Sequence, residues 1–151
     1  MQTPQRIMRK VLAAVIRKAR AAGCKVETVR PNRFSGHVSR RTLLVNEHLC
    51  SVHQVTKKSQ PERAKRFYAR VVVTYKKLEK VAALIFHVTI DGLPQRDFVI
   101  PSRVLRAALF GSNPTCDRKT LYLPLERLPS YHMRKPAINY WNYEGAWDRV
   151  R

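Results

Sequence analysis

The chain has 151 residues, 44% of them hydrophobic, with 30 Lys+Arg against 10 Asp+Glu and a formal net charge of +20. That length and apolar content supply the core of one ordinary α/β-sized domain spanning 1–151 and exclude a disordered basic tail. No run approaches the ~20 apolar residues of a membrane span, and so large a charge imbalance costs self-repulsion that a polyanionic partner relieves.

Gln5 to Ala22 reads as an amphipathic helix, because Met8, Val11, Leu12, Val15, Ile16, Ala19 and Ala22 fall on one arc at 100° per residue. Arg6, Arg9, Lys10, Arg17 and Arg20 fall on the opposite arc, with Lys18 the one basic exception, and Gly23 is a stop signal. A solvated helix face mixes signs. Here the first acid is Glu27, so the stripe is expected to face phosphates. Lys25 to Arg30 alternates like a short strand, and Pro31 to Gly36 is rich in breakers. Thr42 to His48 followed by Leu49 to Val55 has the pattern of a β-hairpin turning near Asn46-Glu47.

Thr56 to Lys65 is polar and basic, as a loop is. Ser59-Gln60-Pro61-Glu62 has capping-box spacing, but Phe67 to Tyr75 is dense in aromatic and β-branched residues, which predicts a strand. Ala82 to Ile90 is a continuous apolar run expected at the centre of a sheet, closed by the turn pair Asp91-Gly92. Asp97 to Ile100 is a further strand, Pro101-Ser102 opens a helix through Phe110 that Gly111 ends, and Thr120 to Leu125 is a last strand. Trp141 to Val150 is expected to form a terminal helix. The expectation is a single α/β domain, a mixed central β-sheet flanked by helices.

Charge is unevenly spread along the chain: residues 1–80 hold 20 Lys+Arg and 4 acids, whereas residues 81–151 hold 10 and 6. One part of the molecule is thus a far stronger anion-binding surface, as nucleic-acid binding requires. Arg33, Arg40, Arg41, Lys57 and Lys58 flank the hairpin where long cations reach a backbone. The segment Lys65-Arg66-Phe67-Tyr68-Ala69-Arg70 and the tract Tyr131 to Trp141 combine cations with rings able to stack on bases. With Trp141 and Trp147, however, a place in the core is the plainer expectation.

Other chemistry has little support. His48, Cys50 and His53 are zinc-type ligands, yet strand alternation sends the first two one way and His53 the other. Asp91, Asp97 and Asp117 read as turn acids. There is no Walker loop, GxGxxG or nucleophile elbow. Cys24, Cys50 and Cys116 form no CxxC pair and are odd in number, which points to an intracellular, reducing compartment.

Leu84-Ile85-Phe86-His87-Val88 followed by Phe98-Val99-Ile100-Pro101-Ser102, the hairpin Leu43-Leu44-Val45-Asn46 to Ser51-Val52-His53, and the ending Tyr143-Glu144-Gly145-Ala146-Trp147-Asp148 cover most of the chain from about residue 26. Together they resemble the PD-(D/E)XK, restriction-endonuclease-like nucleases, above all the small endonucleases that travel with mobile elements. That resemblance implies a first hairpin strand carrying an Asp and a second carrying an acid and then a Lys, around Mg²⁺. The Asp position falls at Thr42, the acid and Lys positions at Ser51 and His53, with Gln54 beside them, and no carboxylate lies between residues 28 and 46. The first helix, where a further acid often helps, has none.

The leading expectation is therefore a nucleic-acid-binding module, DNA more than RNA, on a catalytically degenerate nuclease fold with no cofactor. It would serve as a subunit of a larger mobile-element or defence complex. Two readings stay open beside it. One is a structural RNA-binding protein of a ribonucleoprotein such as a ribosome. The other is an active endonuclease whose Mg²⁺ is held by a rearranged set drawn from Glu47, Asp91 and Asp97.

Overall fold

The first helix, α1 (Pro4–Ala21), buries Val11, Val15 and Ala19 along one stripe, as the helical spacing of its apolar residues requires. The computed structural model describes residues 4–29, 41–56, 68–89, 95–111, 115–124 and 138–150. After α1 come β1 (Val26–Thr28), β2 (Thr42–Val45) and β3 (His48–Thr56). Asn46 and Glu47 turn β2 into β3 with φ of 49° and 70°, the left-handed pair of a tight hairpin whose twist suits its strands.

Beyond the hairpin lie β4 (Tyr68–Thr74), α2 (Tyr75–Lys80), β5 (Ala83–Thr89) and β6 (Arg96–Pro101). The helix α3 (Ser102–Leu105) runs straight into a π-helical turn, Arg106–Phe110, and β7 (Arg118–Pro124) follows. The π turn ends at Gly111, whose φ of 69° and ψ of −162° suit only glycine.

Five strands form the central sheet in the order β1-β2-β3-β5-β6, antiparallel except where β3 runs parallel to β5. The fold is thus a mixed α/β sheet with helices on it. A separate two-stranded antiparallel ribbon pairs β4 with β7. The strand expected over Phe67 to Tyr75 exists, but it lies in this ribbon and leads into α2, a helix that the apolar spacing did not predict. Thr74 explains the switch: its side chain accepts the backbone N–H of Lys77 and so caps the helix.

Alternation divides the sheet into two faces. On the α1 face, Leu43, Val45, Cys50, Val52, Ala83, Ile85 and Val99 pack with Val11, Val15, Ala19 and Trp147. On the ribbon face, Leu84, Phe86, Val88, Phe98 and Ile100 pack under Leu78 of α2, Leu105 and Phe110 of the α3 segment, and Ala69, Val73, Leu121 and Leu123 of the ribbon. Layers thus stack as helix, sheet, and ribbon with two helices.

The helix expected over Trp141 to Val150 is absent. Two 3-10 turns, Tyr140–Tyr143 and Trp147–Arg149, stand there instead. Gly145 at φ 59° breaks any helix between them, and its N–H donates to the Asp97 carbonyl at 2.7 Å. Arg96 completes the fastening, stacking 4.9 Å from the Trp141 ring and lying 3.5 Å from Glu144. Tertiary contacts with β6 outweigh the helical composition of this segment.

Candidate nucleic-acid interface

Hairpin register decides which polar side chains meet. Thr42 pairs with Ser51, and the parallel partner of Ser51 is Leu84, all on the ribbon face. His53, two residues on, shares that face and lies across from Phe86, with ring centroids 5.6 Å apart. Thr42 and Ser51 are buried, and the Ser51 hydroxyl and His53 Nε2 share a hydrogen bond of 3.3 Å. The three positions picked out by the nuclease resemblance therefore form one polar cluster inside an apolar face.

Two cations act on this cluster. Burial first, then Lys77 of α2 and Arg41 at the start of β2, lower the His53 pKa from 6.5 to about 4. The ring is neutral at pH 7 and keeps one accepting nitrogen. Lys77 is itself pushed down, by burial first and then by Lys80 and Arg41. Desolvation and crowded like charges thus both oppose further positive charge at this place.

Such a donor set does not fit Mg²⁺, the ion the fold resemblance implies. A hard cation takes charged oxygen ligands, whereas this site offers two hydroxyls, one neutral imidazole and two neighbouring cations. Among the described residues no group of three His, Cys, Asp or Glu could hold a metal. His48 and Cys50 lie on the α1 face, away from His53, as strand alternation demands. Burial holds the Cys50 thiol up at about 12, so it is an inert core group.

Of the acids of a rearranged site, the two among the described residues, Glu47 and Asp97, do not converge. Glu47 is exposed at the hairpin turn. Asp91 lies outside the described residues. Asp97 is not the turn acid that its sequence neighbourhood predicts: it is buried on β6, on the α1 face, and pairs in register with His87. His87 Nδ1 donates to Asp97 Oδ1 at 2.6 Å, the Gln95 amide donates to His87 Nε2 at 2.7 Å, and the Lys18 ammonium lies 2.9 Å from Oδ2. Burial pushes the Asp97 carboxyl up, but hydrogen bonds from His87 and Lys18 and their charges outweigh it and hold the carboxyl below its ordinary value.

Arg6, Arg9, Lys10, Arg17 and Arg20 are exposed on α1, opposite its buried stripe. They lie on the other side of the sheet from Thr42, Ser51 and His53, so the stripe and the polar cluster are two separate surfaces. Arg20 also donates to the Val26 carbonyl at 3.0 Å, tying α1 to β1. Arg70 is exposed on the ribbon. Arg33, Arg40, Lys57, Lys58 and Arg66 lie outside the described residues, as do Phe67 and the tract 131–137.

Sequence reasoning missed Lys77, for which the cap Thr74 before Tyr75-Lys76-Lys77-Leu78 was the available signal. It also missed a cleft of about 240 Å³ at the turn end of the sheet, bordered by His48, Arg103, Arg106 and Arg149. No periodicity connects those four positions; only the sheet topology gathers them.

Comparison with known proteins gives one kind of likeness. No family profile matches the sequence, and no curated protein does. Among solved structures, the fold is similar to that of a bacterial homing endonuclease, I-Ssp6803I, with a TM-score of 0.52 and 17% identity over 98% of this chain and 92% of that one. The chain therefore has a nuclease-like fold. No helix among the described residues is long and apolar enough to cross a membrane.

Proposed function

We propose that this protein is a DNA-binding module on a PD-(D/E)XK, restriction-endonuclease-like scaffold whose metal site has become a phosphate-holding site. One observation carries the reading: Thr42, Ser51 and His53, the positions that the resemblance assigns to the acids and Lys, form one cluster, with Lys77 and Arg41 acting on it. Loss of the acids removes repulsion toward a phosphodiester, and the two cations add attraction. Lys77 and Arg41 would hold the phosphate, and the buried hydroxyl pair and neutral His53 beneath them supply no charged ligand for a metal that could activate water.

The formal charge of +20 supports the same partner. So does the likeness in fold to a protein described as a homing endonuclease. Free thiols at Cys24, Cys50 and Cys116 fit a reducing compartment inside the cell.

The test is a titration of the protein against labelled duplex DNA, single strands and folded RNA, with and without Mg²⁺. Retarded duplex that stays intact in Mg²⁺ is expected. Cutting that requires Mg²⁺ would show an active site elsewhere, and a preference for folded RNA would place the chain in a ribonucleoprotein.

A further inference from the structure

The ribbon turns a mixed face outward. Ala69, Val73, Leu121 and Leu123 point into the core, so Arg70, Val72, Thr120 and Tyr122 between and beside them point out. Cross-strand pairing aligns Arg70 with Tyr122, Val72 with Thr120, and Thr74 with Arg118. Val72 is 58% and Tyr122 45% exposed, two of the three large apolar side chains exposed among the described residues. Neither strand contains an acid.

We infer that this ribbon is the element that reads base sequence, by lying in the major groove of duplex DNA. The inference rests on the proposed DNA-binding role and goes beyond it, since phosphate contacts give affinity but carry no sequence information. Three properties of the ribbon fit that occupant. Two strands about 4.8 Å apart, with their side chains, match a groove of about 12 Å. Val72 and the Thr120 methyl offer apolar contact suited to the thymine methyl, and Arg70 offers the forked donor suited to guanine. Arg118 at one end of the outer face and Arg70 nearer the other give it positive charge toward the phosphates that line the groove.

Its place in the fold agrees. β4 passes directly into α2, which carries Lys77, so the reading element and the cationic cluster are joined by a capped helix on the same side of the sheet. The stripe on α1 lies on the other side and would contribute attraction without sequence preference.

The experiment is selection of duplexes from a randomised pool by the full chain, followed by affinities for the selected duplex and a scrambled one. Three proteins are compared: wild type, the variant Arg70→Ala/Val72→Ala/Tyr122→Ala, and the single Arg70→Gln. All three changes are at exposed positions, and circular dichroism checks the fold. Wild type is expected to enrich a consensus. The triple variant should lose that preference, and Arg70→Gln should relax it at one position by roughly ten-fold.

Wild type that binds duplex with no preference, or a triple variant with an unchanged consensus, overturns the inference. A triple variant that changes from dimer to monomer with its consensus intact overturns it too, and makes the ribbon a contact between copies. Wild type that binds no duplex at all overturns the proposed function itself, which separates the two failures.

Discussion

The Lys18 ammonium lies 2.9 Å from the buried carboxylate of Asp97, tying the first helix to the last strand of the sheet. Lys18 is the basic residue that leaves the arginine stripe of α1, and this pair is the reason. Its side chain is 37% exposed while that of Asp97 is 2% exposed, so the lysine reaches inward over the sheet edge. Asp97→Ala removes the acceptor of both His87 and Lys18 and should cost about 3 kcal/mol in urea denaturation. Lys18→Met keeps the apolar stem and leaves the His87 bond, so about 1 kcal/mol is expected. Equal losses in the two variants would show that the network does not work through Asp97.

Asp97 also sets an acid limit. Its folded pKa lies below 3.8, so it contributes stability above the unfolded value that is lost as pH falls through the folded one. Below about pH 4, wild type should lose stability that Asp97→Asn, already lacking the charge, does not lose further. Parallel acid curves for the two proteins would contradict this.

Where local pattern governs, the fold was legible. The α1 stripe, the hairpin around Asn46-Glu47, the buried run from Ala83 and the helix opening at Ser102 all follow from apolar spacing and turn chemistry. The ending from Tyr140 to Val150 was not legible, because Gly145 N–H and Arg96 tie it to β6 across long sequence separations. Thr42, Ser51 and His53 were reachable only by laying a family pattern on the hairpin. Lys77 and the burial of Asp97 against His87 were not, since one needed a helix missed between two strands and the other needed the register of β5 against β6.

His53 gives a second pH window. Burial, Lys77 and Arg41 lower its folded pKa from 6.5 to about 4. The unfolded chain therefore binds a proton that the folded chain refuses between those values. Stability should be full above about pH 6.5 and fall toward pH 4, by on the order of 2 kcal/mol after allowing for partial solvent contact. His53→Gln keeps a polar partner for Ser51 and cannot titrate, so its stability should stay flat across that window. A wild-type curve that is equally flat would remove the buried, cation-flanked description of this ring.

Salt dependence separates the two cationic surfaces. Changing Arg9, Lys10 and Arg17 to Ala removes stripe charges while leaving Arg20 on the Val26 carbonyl. For duplex DNA, the log–log slope of affinity against salt should shrink by about 0.9 for each phosphate that is no longer neutralised. Lys77→Ala, a single charge, should change the slope by about one such step. An unchanged slope in the triple variant would leave α1 as a solvated face and the ribbon side as the whole binding surface.

Restoring acids tests the replaced metal site most directly. Thr42 and Ser51 are cross-strand partners, so Thr42→Asp with Ser51→Glu would set two carboxylates about 5 Å apart at the Cβ atoms. Without metal, two like charges on a buried face repel and should lower stability by about 2–4 kcal/mol. A divalent ion bridging them should reverse that loss, so the double variant should gain melting temperature in millimolar Mn²⁺ while wild type does not. Adding His53→Lys would supply the remaining family position, and Mg²⁺-dependent nicking of a supercoiled plasmid becomes the readout. Destabilisation that Mn²⁺ fails to relieve would mean that this pair cannot form a metal cage, and the loss of acids would no longer explain a non-cutting site.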